Sequence, residues 1–497
     1  MKKVEILRKK YPRFVYENFD WEISRKDLKI SFCFGIEPNI EFHPKVIIKN
    51  INKNQIKRVG VNPPRVVDNL VFNLGLIELL SYWKATCSQE IVIEAGQLNQ
   101  EQIKWWKDLI DRGMSQFFYE NKIDFRKPNF IKFKSADKLC DRSKCQQFEN
   151  FSKEKVLVPV GGGKDSIVTL ELLKNGMRKA LAQPLASRNS NVPMPIACFS
   201  LNPTEAAKKI MKMASTGSPQ VAGCKHPIIV ERKIDKKLLE LNRKGFLNGH
   251  TPFSAYLAFL SVLCAVLFNY KSIAFSNERS SNEGNLKYLG RIINHQYSKS
   301  FDFEKKFRDY SKRYLAKNVE YFSFLRPLYE IQIAKLLSKY PQYFSAFLSC
   351  NEAYKTYSGK RKPTRKWCGK CPKCLFVFAI LYPFIDEKKL EEIFGKNLFE
   401  NRNLLPLMLE LIGERKFKPF ECVGTKKESL IAFYLGWKKS GDWLSGRLPY
   451  ILKYFEKNIL PKYPNLEKEA RIMMNSWSNQ HSLPKEFEKI LKKEFML

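Results

Sequence analysis

Val156-Leu157-Val158-Pro159-Val160 is a short apolar run, Gly161-Gly162-Gly163 follows it directly, and Lys164-Asp165-Ser166 opens a stretch of helical periodicity. This passage from buried strand through glycine loop to helix limits the possible folds more than any other feature of the chain. Glycine permits backbone dihedrals closed to other residues and lets main-chain amides approach an anion. At a helix amino-terminus those amides converge on phosphate, and the helix dipole favours negative charge there. Lys164 is the candidate to neutralise phosphate, Ser166 to donate a hydrogen bond, and Asp165 to hold Mg²⁺ against it. Two better-known phosphate loops do not fit. A Walker loop has Ser or Thr directly after its lysine, where this chain has Asp165, and a dinucleotide loop needs a third spaced glycine, where it has Ser166.

Around the loop the pattern is β-then-α. Strands are expected at Val156–Val160, Ile196–Leu201, Pro227–Arg232 and Ser272–Phe275, and a helix at Ser166–Lys174 that Gly176 would stop. Helical stretches between strands predict an α/β middle domain, residues 151–395, built on a parallel sheet covered on both faces. Residues 1–150 read as a separate α+β domain. It has strands at Leu28–Ile36 and Lys45–Ile51, a helix Asp68–Lys84 capped by Asp68 or Asn69, and a helix Gln100–Arg112 whose Trp105 and Trp106 are packing residues. Residues 396–497 read as a helical, charged region. Ala186–Asn191 and Ser215–Gly223 are polar enough to be surface loops.

A second motif is Trp367-Cys368-Gly369-Lys370-Cys371-Pro372-Lys373-Cys374, three thiols at two-residue spacing that suit a tetrahedral metal, with Cys350 the natural fourth ligand. Zn²⁺ in a structural role is the first expectation and an iron–sulfur cluster the alternative. No export signal is read at the start, so twelve cysteines point to metal or free thiols rather than a disulfide framework. Cys140 and Cys145 form a close pair with nothing nearby to complete a site. Thr251–Tyr270 is uncharged and nearly long enough to span a bilayer, but Pro252, Ser254, Ser261 and Asn269 mark it as a buried core helix. The chain therefore reads as soluble and cytoplasmic. Its net charge of +37 requires anionic partners. The basic residues are spread along the whole sequence and are mostly lysine, so charge alone does not favour a nucleic acid.

Three polar segments fall where an α/β fold places its active site, past the carboxyl ends of strands. They run from Leu247 to Ser254, Ser276 to Glu283 and Asn294 to Ser300, and two of only five histidines, His250 and His295, lie in them. Dense Asn, Ser, Glu and Lys around these histidines, Glu278 and Lys299 among them, favour a site here.

Gly161–Ser166 resembles the loop of the ATP pyrophosphatases, which cleave ATP to AMP and pyrophosphate, and a lone Cys ahead of such a knuckle occurs among those that make deazaguanine nitriles. Loop, knuckle and polar segments, with Asp68–Lys84, Leu325–Pro327 and Phe420–Gly424, together resemble the UDP-N-acetylmuramoyl-L-alanyl-L-glutamate epimerases of the MurL type. The resemblance implies an adenine-nucleotide α-hydrolase-like (PP-loop) middle domain. It implies ATP and Mg²⁺ at Gly161, Gly162, Gly163, Lys164, Asp165 and Ser166, and a UDP-linked muramoyl dipeptide as substrate. It also implies inversion of the terminal L-Glu to D-Glu through an acyl-adenylate in peptidoglycan precursor synthesis. Such an inversion calls for groups titrating near the working pH, which makes His250 and His295 the first acid/base candidates, followed by Glu278 and Lys299; no two cysteines lie in the polar segments, so a cysteine pair is not expected. Two alternatives stay open: a pyrophosphatase-loop enzyme adenylating a tRNA base or deazaguanine precursor, and a nucleotide-sensing module without turnover. The oligomeric state is not legible.

Overall fold

The computed structural model describes residues 3–57, 63–135, 155–181, 194–216, 224–355, 362–443 and 448–496. Cys140, Cys145, Ala186–Asn191 and most of Ser215–Gly223 lie outside the described residues. The strands in chain order are β1 (Arg13–Ser24), β2 (Asp27–Ile36), β3 (Ile40–Phe42), β4 (Lys45–Lys49), β5 (Glu90–Ile93), β6 (Lys132–Ser135), β7 (Lys155–Pro159), β8 (Met194–Leu201), β9 (Ile228–Lys233), β10 (Ser272–Phe275), β11 (Leu286–Tyr288), β12 (Arg291–Ile293) and β13 (Glu320–Ser323). Eleven of them form one sheet in the order β13-β10-β7-β8-β9-β4-β2-β1-β5-β6, with β3 on β2; β11 and β12 are a separate hairpin.

The chain is mixed α/β, and the sheet is mostly parallel. The run from β13 to β9 is parallel throughout, as the β-then-α pattern requires, because parallel neighbours need long crossovers that helices supply. Antiparallel pairing enters with β4, which lies along β9 from Lys45–Lys233 to Ile48–Val230. It continues through the β1–β2 hairpin, whose short turn between Ser24 and Asp27 permits only that arrangement. Strands from before residue 135 and strands after residue 155 therefore share one sheet.

Several local expectations shift. The glycine-loop helix runs Lys164–Leu181, straight through Gly176. The bare Cα of Gly176 admits Ile490 of the helix Lys485–Phe495, which an added Cβ would approach to 2.8 Å. Close packing, not helix termination, explains that glycine. The expected Asp68–Lys84 helix starts earlier, at Pro63, and is broken into Pro63–Glu78 and Leu80–Trp83. Asp68 is thus internal, accepting a hydrogen bond from Trp21 Nε1 at 2.7 Å rather than capping. Asn99, with Gln102, caps the helix Gln100–Gly113. Trp106 of that helix is buried, donates to Tyr310 at 3.1 Å and stacks on Phe259. Cys198 and Cys224 are disulfide-bonded, against the expectation that the cysteines would be free or metal-bound. The apolar segment forms the buried helix Phe253–Phe268, and no helix among the described residues is long and apolar enough to cross a membrane.

A buried ion pair ties the helix Pro63–Glu78 to the sheet close to the β4–β9 junction. Arg232 of β9 meets Glu78 with two bonds, Nε to Oε2 at 2.8 Å and Nη2 to Oε1 at 2.9 Å, and also donates to Ser81. Removing one partner of such a pair strands the other charge away from water, at a cost of about 3–5 kcal/mol. Glu78→Ala should lower unfolding stability by about that amount in denaturant titration. A loss within experimental error would show that the pair does not hold the helix on the sheet.

Candidate active site

β7 is flanked by parallel neighbours on both sides, so its carboxyl end opens at the middle of the parallel half, the usual ligand position in an α/β sheet. Of the three loop glycines only Gly162 uses the left-handed region, at φ +96°, and a Cβ there would come within 3.0 Å of Ala206 Cβ and Ala207 N. Its carbonyl accepts from Leu348 N at 2.9 Å, and Ser166 Oγ donates to Gly163 O at 2.9 Å. Lys164 opens the helix, fully buried, ion-paired with Asp165 and Glu330. Burial would lower the Lys164 pKa, but the two carboxylates outweigh it and hold the ammonium above its ordinary value. Glu330, at the start of the helix Glu330–Leu337, also lies 3.8 Å from Lys373 Nζ. Burial acts against its charge, yet Lys164 and Lys373 hold the carboxyl below the usual range.

Lys373 donates to the main-chain carbonyl of Cys422, which leads from the glycine loop to the polar segments. Lys299 Nζ lies 3.3 Å from Cys422 Sγ and His295 Nε2 lies 3.9 Å from it. The His250 and His295 rings are 4.6 Å apart. Glu278 is buried, with one carboxylate oxygen lacking a hydrogen-bond partner among the described residues. Its pKa is raised by burial and then by Glu330. The structure thus brings all four predicted acid/base residues into one cluster. The expectation that both imidazoles titrate near neutrality fails at His250. Burial, the His295 ring and the Lys84 and Lys299 charges push its pKa down to about 3, so His250 is neutral at physiological pH. Lys299 stays charged, because Cys422 and Glu278 more than offset the burial that acts against it.

The cluster is held from behind by Arg326, which has no exposed surface. Its guanidinium donates to Glu278 O at 2.6 Å, Ser281 Oγ at 2.8 Å, Lys299 O, and Glu304 at 3.1–3.2 Å. One planar fork therefore fixes the two segments carrying Glu278 and Lys299. In front, the segment 417–424 is stitched down from the far end of the sequence. Asn285 Nδ2 donates to Pro419 O at 2.8 Å, Gln296 Nε2 to Val423 O at 3.2 Å, and buried Lys418 pairs with Glu283 at 3.2 Å. Cys422, Glu330 and Lys373 were not among the expected site residues. Glu330 carried no local signal, Lys373 was read only as part of the cysteine knuckle, and Cys422 lay in a short segment that matters only once it is docked.

The sulfur atoms of Cys350, Cys368, Cys371 and Cys374 all lie within 4.8 Å of one another. The closer pairs are separated by 3.5, 3.6 and 3.9 Å. Zn–S bonds of about 2.3 Å at tetrahedral angles place sulfurs about 3.8 Å apart, so the four thiols fit that ion. Gly369, at φ +64°, makes the turn between the first two knuckle thiols. The group ties together two supports of the active site. Cys350 follows Leu348 and Ser349, which pack on the glycine loop, and Cys371 precedes the helix Pro372–Leu381 carrying Lys373.

A family model described as the MurL N-terminal domain matches residues 5–324, and one described as the MurL C-terminal domain matches residues 346–459. A protein of Micromonospora sp. (strain ATCC 39149 / NRRL 15099 / SCC 1413) named UDP-N-acetyl-alpha-D-muramoyl-L-alanyl-L-glutamate epimerase is 32% identical over 375 residues, covering 74% of this chain and 76% of that one. One of the same name from Xanthomonas oryzae pv. oryzae (strain MAFF 311018) is 29% identical over 421 residues, covering 83% of each. No solved structure matches the chain.

The cysteine geometry predicts about one zinc per chain, bound tightly enough to survive gel filtration. Cys371→Ser should release the metal and lower thermal stability, because binding free energy at a structural site is folding free energy. Metal-free protein of unchanged stability, or an iron–sulfur absorption band, would contradict this assignment.

Proposed function

The chain belongs to the MurL family, and on that premise we propose that it inverts the terminal glutamate of UDP-N-acetylmuramoyl-L-alanyl-L-glutamate, consuming ATP to AMP and pyrophosphate. The observation that carries this reading is the contiguity of the two halves of the site. A phosphate-type glycine loop is linked, through Lys164, Glu330 and Lys373, to a buried cluster of proton-transfer groups. A strand-loop-helix at the middle of the parallel half supports reading this part of the chain as an adenine-nucleotide α-hydrolase-like (PP-loop) unit.

The two halves suit two steps. The α-proton of a carboxylate is scarcely acidic, because the carbanion would form beside a full negative charge. Transfer of adenylate to the glutamate carboxylate removes that charge, expels pyrophosphate and leaves an activated acyl group. Main-chain amides at the start of the helix Lys164–Leu181 would hold the phosphates, and Asp165 a Mg²⁺ ion. A base on one face then removes the Cα proton and an acid on the other returns one. Hydrolysis of the acyl-adenylate frees the D-Glu product and AMP. The clustering of His295, Glu278, charged Lys299 and neutral His250 supports assigning this exchange to them. The substrate's diphosphate and carboxylates also account for a basic protein without a nucleic-acid partner.

Incubation with ATP, Mg²⁺ and the L-Glu precursor should give AMP, pyrophosphate and, after acid hydrolysis, D-glutamate. Asp165→Ala should fold with unchanged circular dichroism and lose turnover. ADP as nucleotide product, or parental turnover in that variant, would refute the role given to the loop.

A further inference from the structure

The cluster contains one nucleophilic group that neither the polar segments nor the glycine loop supplies. Cys422 Sγ is flanked by Lys299 Nζ at 3.3 Å and His295 Nε2 at 3.9 Å. The far side of the imidazole is fixed by a chain of defined polarity. Gln116 Nε2 donates to Glu120 Oε1 at 2.8 Å, which orients the amide so that Gln116 Oε1 faces His295 Nδ1 at 2.6 Å. A carboxylate can only accept, and an amide oxygen can only accept. Nδ1 therefore carries the proton it donates to Gln116, and Nε2 is free to exchange one with the thiol.

The charges around the sulfur favour the thiolate. Burial acts against it, but Lys299, His295 and Lys373 outweigh both burial and the neighbouring Glu421, and the Cys422 pKa falls to about 5. The free buried cysteines away from the knuckle show the contrast. Cys87 is pushed up to about 12 and Cys264 further still, both chiefly by burial. A thiolate held charged beside an imidazole and an ammonium is the environment of a reactive cysteine rather than a structural one.

We propose that Cys422 is a catalytic base of the epimerisation, working with His295 and held by Lys299; this rests on the function proposed above. The thiolate takes the Cα proton of the activated glutamate and becomes a thiol, while the C–H electron pair passes into the enolate of the acyl group. A proton arrives on the opposite face from Glu278, the buried carboxyl of the cluster, which burial holds above the usual carboxylate range. The thiol then returns its proton through His295 Nε2 to solvent, the opposite donor regains one from solvent, and no oxidant or reductant is involved. In the reverse direction Cys422 is the acid. A single thiol paired with a different group on the other face meets the need that a cysteine pair meets elsewhere, which is why the lack of two cysteines in the polar segments is no obstacle.

The test uses the full chain with ATP, Mg²⁺ and UDP-N-acetylmuramoyl-L-alanyl-L-glutamate in D₂O, following AMP, deuterium at Cα and glutamate configuration. Cys422→Ala should form AMP within a few-fold of the parent, while inversion falls about 10²–10⁴-fold, the usual worth of a positioned acid or base. Inversion within about tenfold of the parent, or parallel loss of AMP formation and inversion in folded protein with its metal retained, overturns the assignment. Should the alanine variant not fold, Cys422→Ser is read by the same criteria. In the parent, iodoacetamide should alkylate Cys422 with a pH midpoint well below that of a free thiol, and substrate with ATP should protect it. An ordinary midpoint without protection counts against the proposal. A parent that inverts glutamate without AMP refutes the ATP-dependent reading and leaves the Cys422 assignment to be judged on inversion alone.

Discussion

Glu330 occupies the position on which the site depends. A carboxylate in a dry interior must be compensated, and two buried lysines, Lys164 and Lys373, compensate this one, each nearest a different carboxylate oxygen. The three groups cannot be repositioned independently. Lys164 is set by the glycine loop, Lys373 by the cysteine knuckle, and Glu330 by the turn that follows β13 and Arg326. A single buried charge thereby fixes the relative placement of the glycine loop, the cysteine knuckle and the segment bearing Cys422. Apolar residues of similar volume would fill the same space at less desolvation cost, but they would not fix three separate strands of chain in one geometry.

Arg326 does comparable work on the other side of the cluster. Its donors are directed to main-chain carbonyls and side chains of two segments that hold only a single short 3₁₀ turn each, Arg279–Asn282 and Tyr297–Lys299. Loops near an active site carry the chemistry because they are free of sheet geometry, and that freedom has to be restrained elsewhere. Here the restraint comes from one fully buried guanidinium and its carboxylate, Glu304.

Much of this was legible from the sequence because it depends on local rules. Strands β7, β8, β9 and β10 emerged as apolar runs within a residue or two of their expected limits, and the glycine loop fell between strand and helix as its composition required. The grouping of Cys350 with the knuckle followed from thiol chemistry, and the meeting of His250 with His295 from the polarity of segments beyond strand ends. What was not legible depends on contacts between distant parts of the chain. The β4–β9 pairing leaves no trace in either strand's own pattern, since an alternating strand reads alike whichever neighbour it finds. Gly176 looked like a helix stop because nothing nearby in sequence announces Ile490. Cys422 was passed over for the same reason: its neighbours Phe420 to Gly424 carry resemblance but no chemistry until Asn285, Gln296 and Lys418 bring them across the site.

The contact between Gly176 and Ile490 also bears on the order in which the molecule can be completed. A ribosome delivers the chain from its amino end, and domains tend to fold as they emerge. The helix bearing Lys164 and Asp165 appears well before the helix Lys485–Phe495 that packs against its back. Until that later helix arrives, the first has a bare glycine notch on the face it must bury. The glycine loop is thus made early and supported late, and the interval is spent with an apolar seam open to solvent, where a chaperone or a neighbouring nascent chain can reach it first.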